Sequence, residues 1–175
     1  MFTKSVDADT DITPVVTLSF TRPENITAYA ANDAVGIADS GTPANAGSAI
    51  QTIATGLPAG STLEFTDTTL RINLAAVTAS MTTFFLHLYD ASPTAILDNA
   101  AWDLVSADRT SYLGSLALGT PVDMGSTLFV QVSNIGKRVQ LSASSTSLYG
   151  VLVTTGGYTP TSAEAFSIRL FIERK

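Results

Sequence analysis

Residues 69–89, TLRINLAAVTASMTTFFLHLY, restrict the possible folds more than any other part of the chain. Leu70, Ile72 and Leu74 alternate with Arg71 and Asn73, the two-residue period of a strand with one buried face. After a polar turn at 75–80, the run 82–89 is apolar on both faces, with Phe84, Leu86 and Leu88 on one and Phe85, His87 and Tyr89 on the other. A strand of that kind needs cover on both sides, so it belongs in the middle of a layered structure or beneath a partner. The stretch predicts two strands joined by a short turn, with the remaining strands packed around them.

The rest of the chain continues the pattern. Pro14 opens the strand VVTLSF at 15–20, where a missing N–H is harmless. Residues 21–33 mix turn residues with two apolar anchors, Ile26 and Tyr29, and a short strand is expected around Val35 and Ile37. Residues 39–47, DSGTPANAG, are loop by composition. Alternation returns at 49–54, and Leu63 and Phe65 lead through a short polar TDTT into the central pair. Residues 89–103 lack strand alternation and hold the only tryptophan, Trp102; one helical turn, with Ser106 as its N-cap, is expected after them. Strands follow at 113–118 and 127–133. Asn134 to Lys137, NIGK, predicts a tight turn returning Val139 to Leu141 onto the preceding strand, with Gly136 at positive φ. Strands at 148–155 and 165–173 complete the set, the last with Phe166, Ile168, Leu170 and Ile172 on one face. Short strands between Gly, Pro, Ser and Asn turns predict an all-β antiparallel sandwich, with a jelly roll as the leading form. The expected layout is an extended N-terminal arm at 1–11 and a single β-sandwich domain at 12–175.

Composition narrows the function. Charged residues make up 14% of the 175-residue chain, against about 25% in typical soluble domains. Two readings fit such a surface: one largely occupied by partner chains, because interface cores are depleted of charge, or that of a Ser/Thr-rich β-protein that is soluble anyway, with the first favoured. The net charge is −6 and no Lys/Arg cluster is present, which argues against nucleic-acid and anionic-membrane partners. No apolar run approaches the ~20 residues of a membrane-spanning helix. The first residues lack the apolar core of a signal peptide, so synthesis and folding are expected in a cytoplasm. Cysteine is absent, which removes disulfide frameworks and thiolate metal sites.

Signs of catalysis are few. His87 is the single histidine, and inside an apolar strand it is a packing or interface residue rather than a base. No nucleophile-elbow or phosphate-loop motif occurs. Asp7, Asp9 and Asp11 open like a calcium loop, but Ile12 stands where that loop needs glycine and Leu18 where it needs glutamate. The glutamates Glu24, Glu64, Glu164 and Glu173 lack the aromatic context of a sugar subsite, and the sequon at Asn25 has no secretion signal to give it meaning. No catalytic residue, metal ligand or cofactor is therefore assigned. The interface candidates are Asp7, Asp9 and Asp11 on the arm, with Trp102, Tyr112, Tyr149 and Tyr158. For the four aromatics, ordinary packing beneath loops stands against a role as binding anchors.

Five segments together resemble a family of small virion proteins of tailed bacteriophages. They are TRPENITAYAANDAVG (21–36), LRINLAAVTASMTTFFLHLYDASP (70–93), DNAAWDL (98–104), DRTSYLG (108–114) and GSTLFVQV (125–132). The resemblance covers roughly half the chain in order and includes no catalytic signature. It implies a non-enzymatic structural component of the particle, with a jelly-roll-like decoration or cement protein on the outer surface of the head as the best assignment. It also implies the major capsid protein as partner, a homo-oligomeric state and assembly in the host cytoplasm. Scarce charge, a β body and an acidic arm agree with that role. Two other classes fit the residues. A tail or fibre-associated module recognising a host-surface glycan would use Trp102 with Asp98 and Asp103. A glycan hydrolase would need an acidic pair in a cleft.

Overall fold

The computed structural model describes residues 14–175. The described chain forms ten strands: β1 (Val15–Thr21), β2 (Ala34–Val35), β3 (Ile50–Ala54), β4 (Thr62–Ile72), β5 (Phe84–Tyr89), β6 (Tyr112–Gly119), β7 (Val122–Asp123), β8 (Leu128–Gln140), β9 (Ser147–Thr154) and β10 (Ala165–Arg174). They make two antiparallel sheets, ordered β1-β10-β4-β8-β7 and β2-β9-β5-β6, with β3 sharing the β9 edge with β2. The eight longer strands therefore lie as β1-β10-β4-β8 against β3-β9-β5-β6, and the chain crosses repeatedly between the layers, as in a jelly roll.

The expected all-β sandwich is what the chain forms, and its inward rows are those the alternation marks. Phe166, Ile168, Leu170 and Ile172 of β10 are buried against Phe84, Leu86 and Leu88 of β5, Leu128 of β8 and Leu18 and Phe20 of β1. Phe20 and Phe166 stack with centroids 5.3 Å apart. Each such side chain is worth about 1.5–3 kcal/mol when removed from water.

Five expectations are corrected. The segments around Ile72 and Phe84 are not a pair, because β4 is flanked by β10 and β8 while β5 is flanked by β9 and β6. The polar stretch between them carries the chain from one sheet to the other. TDTT is not a connector either, since β4 runs unbroken through it. Phe65 pairs with Lys137 and Asp67 with Ser133, so Asn134, Ile135 and Gly136 stand opposite Thr66 alone. The NIGK segment is thus a bulge inside the long strand β8 and not a hairpin turn, with Asn134 at φ 59° and Gly136 at φ 64°. The bulge switches the phase of both strands. Leu63 and Phe65 point inward at odd positions and Leu70 and Ile72 at even ones, while in β8 Leu128 and Val130 give way to Val139. The fourth correction is the helical turn, a 3-10 segment (Ser106–Asp108) preceded by Val105 with no side-chain cap, so Ser106 is its first residue and not its N-cap. The fifth is Ile26, which is exposed and anchors nothing, whereas Tyr29 is buried.

Candidate functional site

The outward face of β5 is covered, as its composition requires. Register places Tyr112, Tyr89 and Tyr149 in one row across β6, β5 and β9. The next rows are Ser115, His87 and Val151, then Ala117, Phe85 and Val153. What lies over the Tyr89 and His87 rows is the connection from Tyr89 to Tyr112, longer than the roughly 12–15 residues of an ordinary loop, whereas Ala117 in the last row is exposed. This connection runs back along the β2 and β3 edge through backbone hydrogen bonds. Ala49 N–H donates to Ile96 O at 2.9 Å, Ala34 N–H to Ala100 O at 2.9 Å, and Trp102 N–H to Asn32 O at 2.8 Å. Beneath it sits a second apolar cluster of Ala34, Ala49, Tyr89, Val151 and Val153, against which Ile96, Trp102, Leu104 and Tyr112 pack.

Trp102 closes the cluster. Its ring lies on His87 at 3.8 Å between centroids, and its indole N–H donates to the Tyr89 hydroxyl at 3.1 Å. His87 Nδ1 meets the Tyr112 hydroxyl at 3.0 Å. Burial disfavours the imidazolium and pulls the His87 pKa down to about 4, so the ring is neutral at physiological pH. Burial likewise raises the Tyr89 and Tyr112 hydroxyls.

A buried polar network fixes the other end of the connection. Asp98 accepts hydrogen bonds from the Tyr29 hydroxyl at 2.5 Å and Gly36 N–H at 2.8 Å, and Arg22 Nη2 stands 3.7 Å from it. Arg22 is fully buried, donating through Nε to Tyr29 at 3.1 Å and through Nη1 to Thr161 O at 3.0 Å. Glu164 takes the Tyr158 hydroxyl at 3.2 Å and Thr161 N–H at 2.7 Å. Burial pushes both carboxyls up, against the lowering effect of these donors and of Arg22. Burial also drives the Tyr29 and Tyr158 hydroxyls far above their ordinary range.

Between the connection and the sheet a cleft of about 310 Å³ stays open. Tyr89, Ile96, Leu97, Val105 and Val151 form its apolar walls, with Trp102, Asp103 and Asp108 also among its lining residues. Asp108 accepts from Thr94 N–H at 2.9 Å and from the Thr94 hydroxyl at 3.1 Å. Among the described residues, neither Asp103 nor Asp108 takes part in an ion pair. No described group of three metal-ligating side chains could hold an ion, and no described helix is long and apolar enough to cross a membrane.

The structure divides the residues that the sequence singles out. Trp102, Tyr112 and Tyr149 come together on the outer face of the second sheet. Tyr158 lies in the main core, 5.2 Å from the ring of Tyr29 and only 2% exposed, where no partner can touch it. Asp7, Asp9 and Asp11 fall outside the described residues. Of the proposed sugar-binding trio, Trp102 and Asp103 line the cleft, while Asp98 is consumed in the network below. Tyr89 and Asp108 were not marked by the sequence as site residues. The outward apolar row of β5 and the length of the connection after it are the signals that point to them.

The first sheet presents a different outer surface. Its rows run Val15, Phe171, Asp67, Ser133, then Thr17, Arg169, Thr69, Gln131, then Ser19, Ser167, Arg71, Phe129, Val122. Arg71 lies 5.6 Å over the Phe129 ring and Arg169 5.5 Å over Phe171. Val15 is 41% and Val122 61% exposed.

No protein-family model and no curated protein matches the chain. Among solved structures, it is similar to the CBM22-1–GH10 modules of Clostridium thermocellum xylanase 10B in complex with xylohexaose. The identity is 12% and the TM-score 0.32, over 92% of this chain but only 26% of that one. It is also similar to a chain of the Israel acute paralysis virus pentamer (13% identity, TM-score 0.30, 95% and 90% covered). A third is the native virion of Kashmir bee virus at acidic pH (13%, 0.28, 100% and 82%). At such scores the likeness transfers no function.

Proposed function

We propose that the chain is a non-enzymatic structural protein of a tailed-phage virion, a decoration or cement protein that binds junctions between shell subunits as a homo-oligomer. The observation that supports this most is the outer face of the first sheet, which no described segment covers. It is five strands wide and mixes Thr, Ser and Gln with Asp67, Arg71 and Arg169, half-buried Phe129 and Phe171, and exposed Val15 and Val122 on its edge strands. A broad face with apolar side chains set among polar ones suits protein–protein contact. The segments resembling phage virion proteins and the low charge of the chain support the same reading. The major capsid protein is the partner, and the outer surface of the head is the location.

The number of copies of the chain per purified particle, measured against the main shell protein, tests this. A copy number equal to the shell protein or a fixed large fraction of it is expected. A handful of copies would move the chain to the tail or a fibre, and absence from the particle would overturn the reading.

A further inference from the structure

The cleft under the 90–111 connection has a lopsided supply of hydrogen-bonding groups. Among the described residues the exposed Asp103 carboxylate has no hydrogen-bond or ion-pair partner, and each Asp108 oxygen keeps a lone pair beyond its bond to Thr94. Side-chain donors are scarce. The Trp102 N–H is spent on Tyr89 and the Thr94 hydroxyl on Asp108, which leaves the Tyr89 proton. Among the described residues, no lysine, arginine or histidine lines the cleft. A ligand that fits must therefore bring donors and few acceptors, and must bring positive charge to carboxylates that no ion pair satisfies. A sugar fits poorly, since every hydroxyl brings acceptors as well as a donor. An ammonium or guanidinium group brings three or five donors and no acceptor.

The walls give the rest of the specificity. Ile96, Val105 and Val151 can take the methylene stem of a long basic side chain, which buries readily while its head stays polar. Trp102, stacked on His87, also lines the cleft and can meet a cation or its stem there. The volume of about 310 Å³ is at the lower end of small-ligand pockets, enough for one long side chain and an apolar neighbour. We propose that this cleft is a receptor for a lysine or arginine side chain carried on an apolar, extended stretch of a partner polypeptide. This holds whether or not the protein sits on a phage head, since it depends only on the chemistry of the cleft.

Trp102 is the chain's only tryptophan, so its emission reports on the cleft directly. The full chain would be titrated with acetyl-Leu-Lys-Leu-amide, with the Gln and Glu analogues, and with N-acetylglucosamine. The expected result is a saturable change with the Lys peptide, weakened by added salt. The Gln analogue should bind about ten- to a hundredfold more weakly, the usual worth of charge-assisted hydrogen bonds. Asp103→Asn should weaken the Lys peptide about tenfold and leave the unfolding midpoint unchanged, because Asp103 is exposed and unpaired. Equal binding of the Lys and Gln peptides would overturn the proposal, as would saturation by the sugar without a response to the peptide. Silence towards every probe at millimolar concentration would overturn it too. None of these outcomes bears on the copy-number test of the virion reading.

Discussion

Among the described residues, the two outer faces of the sandwich, built on sheets of similar width, differ in that one is largely covered and the other is not. The outward positions His87, Tyr89, Tyr149, Val151 and Val153 of β5 and β9 lie beneath the long connection, while Phe85 at the far end of β5 is half-buried. The outward positions of β1, β4 and β8 are mostly polar or charged, Thr17, Ser19, Asp67, Thr69, Arg71, Gln131 and Ser133, with the apolar Val15 and Phe129 among them. The cover on the second sheet is itself held by polar chemistry at one end, Asp98 with Arg22 and Tyr29, and by Trp102 on His87 at the other. The contrast teaches that this protein has separated two tasks. One sheet face is internalised to shape a small cleft, and the other is a broad face that no described segment covers.

The largest expected effect comes from releasing the cover at its polar end. Asp98→Ala leaves Arg22 buried without its counter-charge, a change that costs about 3–5 kcal/mol. A urea titration should show the loss as a lower midpoint at unchanged slope. Asp98→Asn, which keeps an oxygen for Gly36 N–H and Tyr29, should cost less. If Asp98→Ala left the midpoint unmoved, the network would not hold the cover.

A smaller effect, confined to acid, comes from the other end. The His87 pKa falls from 6.5 to about 4 on folding, so between those values the unfolded chain binds more protons than the folded one. The stability contributed by neutral His87 is fully present above about pH 6.5 and is lost as the pH falls towards 4. His87→Phe should remove this part of the pH dependence of the unfolding midpoint while keeping the ring beneath Trp102. An unchanged pH profile in that variant would mean that His87 is not held neutral by the cover.

The smallest effect on stability belongs to the bare face. Phe129→Thr with Phe171→Thr removes half-buried rings from an open sheet surface and should cost at most about 1 kcal/mol. Binding to particles that lack the protein should nonetheless fall at least tenfold in a sedimentation assay, since large apolar side chains dominate contact surfaces. Undiminished binding would show that the contact face lies elsewhere.

Much of the architecture was legible in the residues. The inward rows of β1, β5 and β10 follow from alternation alone, because a side-chain period of two sorts each strand's residues between its faces without reference to the rest of the chain. The double-sided apolar run of β5 announced a cover before any cover was visible. Two of the misread segments, TDTT and NIGK, lie where a strand changes phase. Leu63 and Phe65 are out of step with Leu70 and Ile72, and Val130 is out of step with Val139, so the polar residues between them read as a connector and a turn. The structure resolves both with one bulge, where Thr66 faces Asn134, Ile135 and Gly136.

The sequence by itself determined that the chain is all-β, which residues of most strands face the core, and that one strand needs burying on both sides. These are local properties, carried by side-chain periodicity and by where polar residues interrupt it. The tertiary structure alone decided that β4 and β5 lie in opposite sheets, that Asp98 is spent in a buried network, and that Tyr89, Trp102, Asp103 and Asp108 share a cleft. Those outcomes depend on hydrogen bonds between segments far apart in the chain, such as Arg22 with Thr161 and Ala34 with Ala100. No local pattern encodes which distant backbone group will be the partner, because any strand edge offers the same donors and acceptors.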